Sequence, residues 1–130
     1  MVRQDSEAAR RYIEKELKTH VSDPFIGLIV ERGDKHIGAV LLFDFRPETN
    51  IEITVASSGP WSVSDVRNII RYCFGCAQRI TARVSVNNAR AIFSMEALGF
   101  QREGLLREFF KDGDAVIYGL LRREQKIVRL

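Results

Sequence analysis

The sequence predicts a mixed α/β fold in the order α-β-β-β-α-β-α-β-β, and three observations carry that prediction. Short runs rich in Val, Ile, Leu and Phe are joined by the turn signals Gly33-Asp34 and Asp112-Gly113. Three other stretches repeat apolar residues at helical spacing. One of these helices lies between two strands, which calls for a parallel pair joined by a right-handed crossover.

Asp5 or Ser6 can cap the first helix, whose apolar positions are Ala9, Tyr12, Ile13 and Leu17. Glu7 to Arg11 and Glu14 to Lys18 are i,i+4 pairs. Lys18 and His20 suit the negative end of the helix and Pro24 blocks its continuation, so the end is expected near Thr19 to Val21. Phe25 to Glu31 and His36 to Phe45 then form a hairpin about Gly33-Asp34. After the turn Pro47-Glu48-Thr49-Asn50, Ile51, Ile53 and Val55 alternate with Glu52, Thr54 and Ala56, as in a strand with two distinct faces.

Ser57 to Trp61 breaks this alternation, and Ser62 with Asp65 three residues later can form a capping box. Val66, Ile69, Ile70, Cys73 and Ala77 are the apolar stripe of that second helix. Arg79 to Val86 reads as the next strand, with Ala82, Val84 and Val86 on one face and Thr81, Arg83 and Ser85 on the other. Either Asn87 or Asn88 can cap the third helix, Ile92, Met95 and Leu98 form its stripe, and Gly99 can end it in a left-handed conformation. Arg102 to Phe110 and Ala115 to Leu121 flank Asp112-Gly113 as a final hairpin. The basic run Arg122 to Lys126 reads as a solvated terminus.

The 130 residues suit one domain spanning 1–130. The 20 basic and 17 acidic residues leave a net charge of only +3, too balanced for a dedicated nucleic-acid binder. A small basic binder using Arg83, Arg90, Arg122, Arg123 and Lys126 is the minor alternative. No run approaches the roughly 18 apolar residues that span a bilayer, and Arg3 to Ser6 does not read as a secretory leader. A soluble, cytoplasmic protein is expected. Cys73 and Cys76 lie one turn apart inside a helix, away from the N-terminus that would activate a thiol, and only His20 and His36 could complete a metal site. Packed, reduced thiols and no metal are the expectation.

The run Asn88 to Gly104 resembles the second signature block of the GNAT N-acetyltransferase superfamily, which transfers acetyl from acetyl-coenzyme A to amines. Asn88, Ala91, Ile92, Glu96, Leu98 and Gly99-Phe100 stand in its places. Glu103-Gly104 with Leu106-Arg107 continues the pattern of the branch that acetylates ribosomal proteins and protein N-termini. Trp61 through Arg123 also resembles small phage-encoded GNAT-like proteins, for which the host cytoplasm would be the location. The superfamily starts with a strand ahead of its first helices; Met1 to Gln4 is too short to supply a clear one, so an open acceptor side is expected.

The resemblance implies that strands Ile51 to Ala56 and Arg79 to Val86 splay to admit coenzyme A. Val55 and Ala56 would meet its pantetheine, with Asn88 and Ala91 across the gap, and the pyrophosphate would rest on the start of the second helix at Trp61, Ser62, Val63 and Ser64. The glycines usual in that turn are absent, since Ser58-Gly59-Pro60-Trp61-Ser62-Val63-Ser64 replaces them. Glu52 stands where many members keep a base, and is otherwise an exposed strand glutamate. Met95 stands where many carry a tyrosine acid, which leaves Ser94 or water for that role, and the amide around Val55 would hold the oxyanion. Trp61 either stacks on a ligand or plugs its loop against the core; Arg83 and Arg90 are surface charges or contacts to phosphate. The expected partners are acetyl-CoA and a primary amine on a protein N-terminus, a lysine or a small molecule, with a homodimer allowed by the exposed sheet edges. The alternative is a catalytically inactive GNAT-like module that binds a macromolecule or virion component.

Overall fold

The computed structural model describes residues 1–22 and 24–130. Its elements are β1 (Val2–Gln4), α1 (Ser6–Leu17), β2 (Ile26–Arg32), β3 (Lys35–Arg46), β4 (Asn50–Ser57), α2 (Val63–Cys76), β5 (Arg79–Ser85), α3 (Ala89–Ala97), β6 (Gln101–Phe110) and β7 (Gly113–Leu121). The strands form one seven-stranded sheet in the order β1-β2-β3-β4-β5-β7-β6, antiparallel throughout except between β4 and β5.

The expected order holds, with β1 added in front. Three residues carry no periodicity, and what makes them a strand is the free edge of β2, against which Val2 pairs with Val30 and Gln4 with Leu28. Charge fastens the pairing: Arg3 Nε donates to Glu31 Oε1 at 2.5 Å, and the Met1 ammonium donates to the Glu31 carbonyl at 2.8 Å.

Asp5 is the cap of α1, accepting from the Ala8 amide at 3.1 Å, while Ser6 Oγ accepts instead from the Gly27 amide at 3.0 Å. Backbone approach is close there. A Cβ on Gly27 would stand 2.6 Å from that of Ala9, so only glycine lets α1 settle on β2. The helix stops at Leu17, earlier than expected, because Lys18 turns left-handed at φ 52°. Glu14 does not pair with Lys18; it accepts from the Val21 amide at 2.8 Å and lies 3.3 Å from His20 Nδ1. The first helix thus folds its own exit loop back along its side.

The sheet buries apolar side chains on both faces. Ala9 and Ile13 of α1 pack on Ile29, Ala39, Leu41 and Ala56, whereas α2 and α3 cover Val40, Leu42, Ile51, Ile53, Ile80 and Tyr118. Ser62 and Asp65 form the expected capping box at the start of α2. Asn88 caps α3 by accepting from the Ala91 amide at 3.1 Å, and Asn87 instead donates to the Asp112 carbonyl at 2.8 Å. The last turn is Lys111-Asp112, one residue earlier than expected, and Gly113 opens β7 at φ +140°, which only glycine tolerates easily.

The parallel pair holds only from Asn50 opposite Arg79 to Ile53 opposite Ala82. Beyond it β4 stays with β3 as far as Ser57 and β5 stays with β7 as far as Ser85. The two strands therefore diverge in mid-sheet.

Candidate functional site

The divergence of β4 and β5 opens a cleft of about 1210 Å³, walled by Thr54 and Val55 on one side and Arg83 to Ser85 on the other. Asn88, Ala91 and Met95 of α3 bound it on one face of the sheet. On the opposite face stand the end of α1, the exit loop and the β6–β7 hairpin. Past Ile53, the β5-side backbone groups of β4 have no strand partner, so an extended ligand can hydrogen-bond to them as an added strand would.

Glu52 is at the floor of this cleft and only 4% exposed, not the exposed strand glutamate of the alternative reading. Phe43 is its direct partner across β3 and β4. Arg83 Nε lies 3.2 Å from Glu52 Oε2. Burial pushes the Glu52 carboxyl above the usual glutamate range; Arg83 pulls it back and Asp44 adds to the rise, with the net direction upward. A buried carboxylate of raised proton affinity, beside a cleft, is suited to taking a proton from a ligand.

The Arg83 guanidinium lies 5.2 Å from the centre of the Phe109 ring. Parallel register sets it on the Glu52 face of the sheet, where it is paired with that carboxylate. Arg90 is exposed on α3. Arg122 Nη1 donates to the Phe74 carbonyl at 2.6 Å, so two of the five residues of the basic-binder reading are engaged within the fold.

The cofactor residues expected from the sequence divide between two places. Val55, Asn88 and Ala91 line the main cleft. Trp61 and Val63 line a smaller pocket of about 300 Å³ at the start of α2, together with Val66, Arg67, Leu98 and Lys126. Ala56 is buried beneath α1 and offers a ligand only its backbone. The Trp61 ring lies against Gly38, its Nε1 directed at the Ile37 carbonyl at 3.5 Å, with the rest of the ring facing the pocket.

The first turn of α2 is partly self-satisfied. Ser62 Oγ accepts from the Asp65 amide at 3.0 Å, and Asp65 Oδ2 accepts from the Ser62 amide at 3.3 Å. Asp65 is 3% exposed, and the Met1 ammonium stands 3.0 Å from its Oδ1. Burial opposes ionisation of Asp65, but the ammonium and the Ser62 bonds outweigh it and hold the carboxyl below its usual range. The amides of Val63 and Ser64 precede the first intrahelical bonds and remain directed outward. With the Asp65 charge compensated, and with Arg67 and Lys126 alongside, the donor set fits an anion such as a pyrophosphate.

Cys73 is buried and its thiol is pushed up to about 12, by burial first and then by Cys76, whereas Cys76 is exposed. A thiol held protonated in this way does not act as a nucleophile. Among the described residues, no group of three His, Cys, Asp or Glu side chains is placed to hold a metal ion. No described helix is long and apolar enough to cross a membrane.

Sequence reasoning missed Phe43, Phe109 and the exit loop as parts of the cleft, gave Arg67 no role, and gave Lys126 one only in the basic-binder alternative, not beside Trp61. Arg83 had a signal: it alternates with the apolar face of β5, as Glu52 does on β4, and a parallel pair puts such residues on one side. Lys126 had none, since the position of the tail beside Trp61 depends on long-range packing.

The fold is that of the GNAT acetyltransferases. The spermidine/spermine N-acetyltransferase SpeG from Vibrio cholerae, solved in mutant forms, superposes with a TM-score of 0.78 at 18% identity over 95% of each chain. The Vibrio cholerae spermidine N-acetyltransferase in complex with CoA and spermine gives a TM-score of 0.75 at 16% identity, over 95% of this chain and 96% of that one. A dodecameric form of that enzyme gives 0.76 at 17%, over 95% and 94%. At such identity the likeness is one of fold. No protein-family model and no curated protein matches the sequence.

Proposed function

We propose that this chain is an acetyl-CoA-dependent N-acetyltransferase acting on a primary amine. The observation that carries the reading is Glu52, a buried carboxylate of raised proton affinity at the floor of the β4–β5 cleft. Likeness of fold to enzymes that acetylate amines, one of them solved with CoA, supports it.

In this reading the pantetheine lies along the free edge of β4 at Val55 and Ala56, between that strand and Asn88 and Ala91 of α3. The pyrophosphate rests on the Val63 and Ser64 amides and the Ser64 hydroxyl, with Trp61 and the Ser62 hydroxyl bordering it and Arg67 and Lys126 as countercharges. Glu52 takes a proton from the acceptor ammonium, directly or through one water. The neutral nitrogen then attacks the thioester carbonyl carbon, the N–C bond forms, the nitrogen gives up its second proton to water, and the C–S bond breaks as the tetrahedral intermediate collapses to the amide. Coenzyme A leaves as a thiolate and takes up a proton from solvent; Met95, at the tyrosine position of many relatives, cannot supply one. An amide of β4 around Val55 stabilises the oxyanion during attack.

The finer assignment, to the branch that acetylates ribosomal proteins and protein N-termini, rests on the Asn88 to Arg107 run alone. A second reading is a GNAT-shaped binding module without activity. The capping box favours it, because it withdraws two first-turn amides from any phosphate.

Calorimetric titration with acetyl-CoA and with free coenzyme A separates the two. Micromolar binding that weakens in Trp61→Ala, followed by release of free thiol when amines are supplied, supports the enzyme. An absence of binding at millimolar acetyl-CoA overturns it in favour of the module.

A further inference from the structure

The β6–β7 hairpin reaches the cleft by an irregular path. Leu106 pairs with Ala115 and Phe110 with Gly113, so Arg107, Glu108 and Phe109 stand opposite Asp114 alone. Glu108 has φ at 52°, a left-handed conformation that is unfavourable for a residue with a Cβ. The half-buried Asp114 offsets it: its Oδ1 accepts from the Glu108 amide at 2.8 Å, a charge-assisted bond, and its carbonyl accepts from the Val86 amide at 3.0 Å. The turn is tied to the end of β5 a second time, where Ser85 Oγ donates to Asp112 Oδ2 at 2.9 Å and Asn87 Nδ2 to the Asp112 carbonyl at 2.8 Å.

This bulge sets the place of one ring. A regular ladder continued from Leu106 would put Arg107 opposite Asp114 and Glu108 opposite Gly113, and would carry Phe109 into the turn. With the extra residues, Phe109 lies 5.2 Å from the Arg83 guanidinium, whose Nε stands 3.2 Å from Glu52 Oε2. The guanidinium is held from two sides, by a ring and by a carboxylate. With 38% of its side chain exposed, Arg83 turns to water when the ring is withdrawn.

We propose that Asp114 is a positioning residue for Glu52: it fixes the β6 bulge that puts Phe109 under Arg83, and so keeps the guanidinium on the carboxylate. Its meaning for catalysis rests on the reading of Glu52 as the base of an acetyltransferase; the chain of contacts does not. Other charged groups bear on the same carboxyl. Asp44 of β3 raises its proton affinity. Among the described residues Glu16 lines the cleft from α1, Lys18 and His20 from the exit loop, and Lys111 and Asp112 from the hairpin. None of these is altered by a substitution at position 114.

The test follows the Glu52 carboxyl itself. Its titration is read by carboxyl-carbon NMR in the full chain without ligand, and assigned with Glu52→Gln. Arg83→Gln should move the midpoint up by about one pH unit, and Asp114→Ala should move it the same way by at least about half as much. Loss of the Asp114 charge alone would act downward, since a nearby anion raises a carboxyl, so the direction separates the two effects. Asp114→Asn, whose side-chain oxygen still accepts from the Glu108 amide, should leave the midpoint in place. In an Arg83→Gln background Asp114→Ala should bring no further rise. Should Asp114→Ala fail to fold, Phe109→Ala takes its place, with the same upward shift expected. A midpoint that stays or falls, a rise that persists with Arg83→Gln, or an Asp114→Asn that shifts as far as Asp114→Ala overturns the inference. A rise in Asp114→Ala combined with unchanged turnover in Glu52→Gln supports the positioning and removes the reading of Glu52 as the base.

Discussion

The Glu52 carboxylate and the Arg83 guanidinium meet at 3.2 Å across the point where β4 and β5 part, with the carboxylate nearly shut off from water and the guanidinium 38% exposed. This asymmetry matters. The arginine can lose its partner without being stranded, whereas the glutamate cannot readily be hydrated in its place.

Glu52→Gln should lower turnover by about 10²-fold or more, the range for loss of a general base, and leave acetyl-CoA affinity unchanged. Thiol release at saturating acetyl-CoA, read beside a calorimetric titration, checks it. Unchanged turnover would take Glu52 out of the mechanism.

Turnover should rise with pH along a limb set by the Glu52 carboxyl, which lies above the usual glutamate range because of burial. Arg83 pulls that carboxyl down, so Arg83→Gln should move the limb to higher pH. A pH–rate profile of both proteins decides the point, and a limb unmoved by the substitution would show that Arg83 does not act on the base.

The same shift has a cost in stability with a definite sign. The folded pKa of Glu52 is raised, so the fold favours the protonated acid. The penalty is absent below the unfolded pKa and grows until the pH passes the folded one. Glu52→Gln should therefore be more stable than the wild type at pH 7, with the difference fading below the unfolded pKa. Thermal melts across that range measure it, and a Gln variant less stable at pH 7 would contradict the assigned direction.

Asp65 has the opposite sign. Its folded pKa is lowered, so its contribution is present above the unfolded value and is lost as the pH falls through the folded one. Asp65→Ala should cost about 1–3 kcal/mol at pH 7, through the Ser62 amide left without a partner and the Met1 ammonium left without its carboxylate. Urea denaturation reads the loss, and Asp65→Asn, which can still accept from Ser62, should lose less.

A Cβ on Gly38 would run into the Trp61 indole. Gly38→Ala should cost about 1–3 kcal/mol by overpacking and shift the emission of this single tryptophan. In a Trp61→Ala background the same change should cost much less. Equal costs in both backgrounds would mean that the ring moves aside freely.

The local elements were legible because each rests on short-range physics. The capping box at Ser62 and Asp65, the Asn88 cap and the Gly33-Asp34 turn depend on residues within a few positions of one another. Errors fell where one residue shifts the outcome: the left-handed Lys18 that ends α1, and the Lys111-Asp112 turn displaced by one from Asp112-Gly113. β1 was not legible at all, since its three residues are a strand only against the edge of β2.

The sequence by itself determined the order of helices and strands after β1 and the parallel crossover, because periodicity, caps and turn residues are local and additive; Glu52 as the acid to watch came from the resemblance to the GNAT superfamily. Tertiary structure alone decided that Glu52 is buried, that Arg83 and Phe43 flank it, and that the tail brings Lys126 beside Trp61. Those are contacts between residues tens of positions apart, set by strand register and by which face of the sheet each helix covers, and no local pattern encodes either.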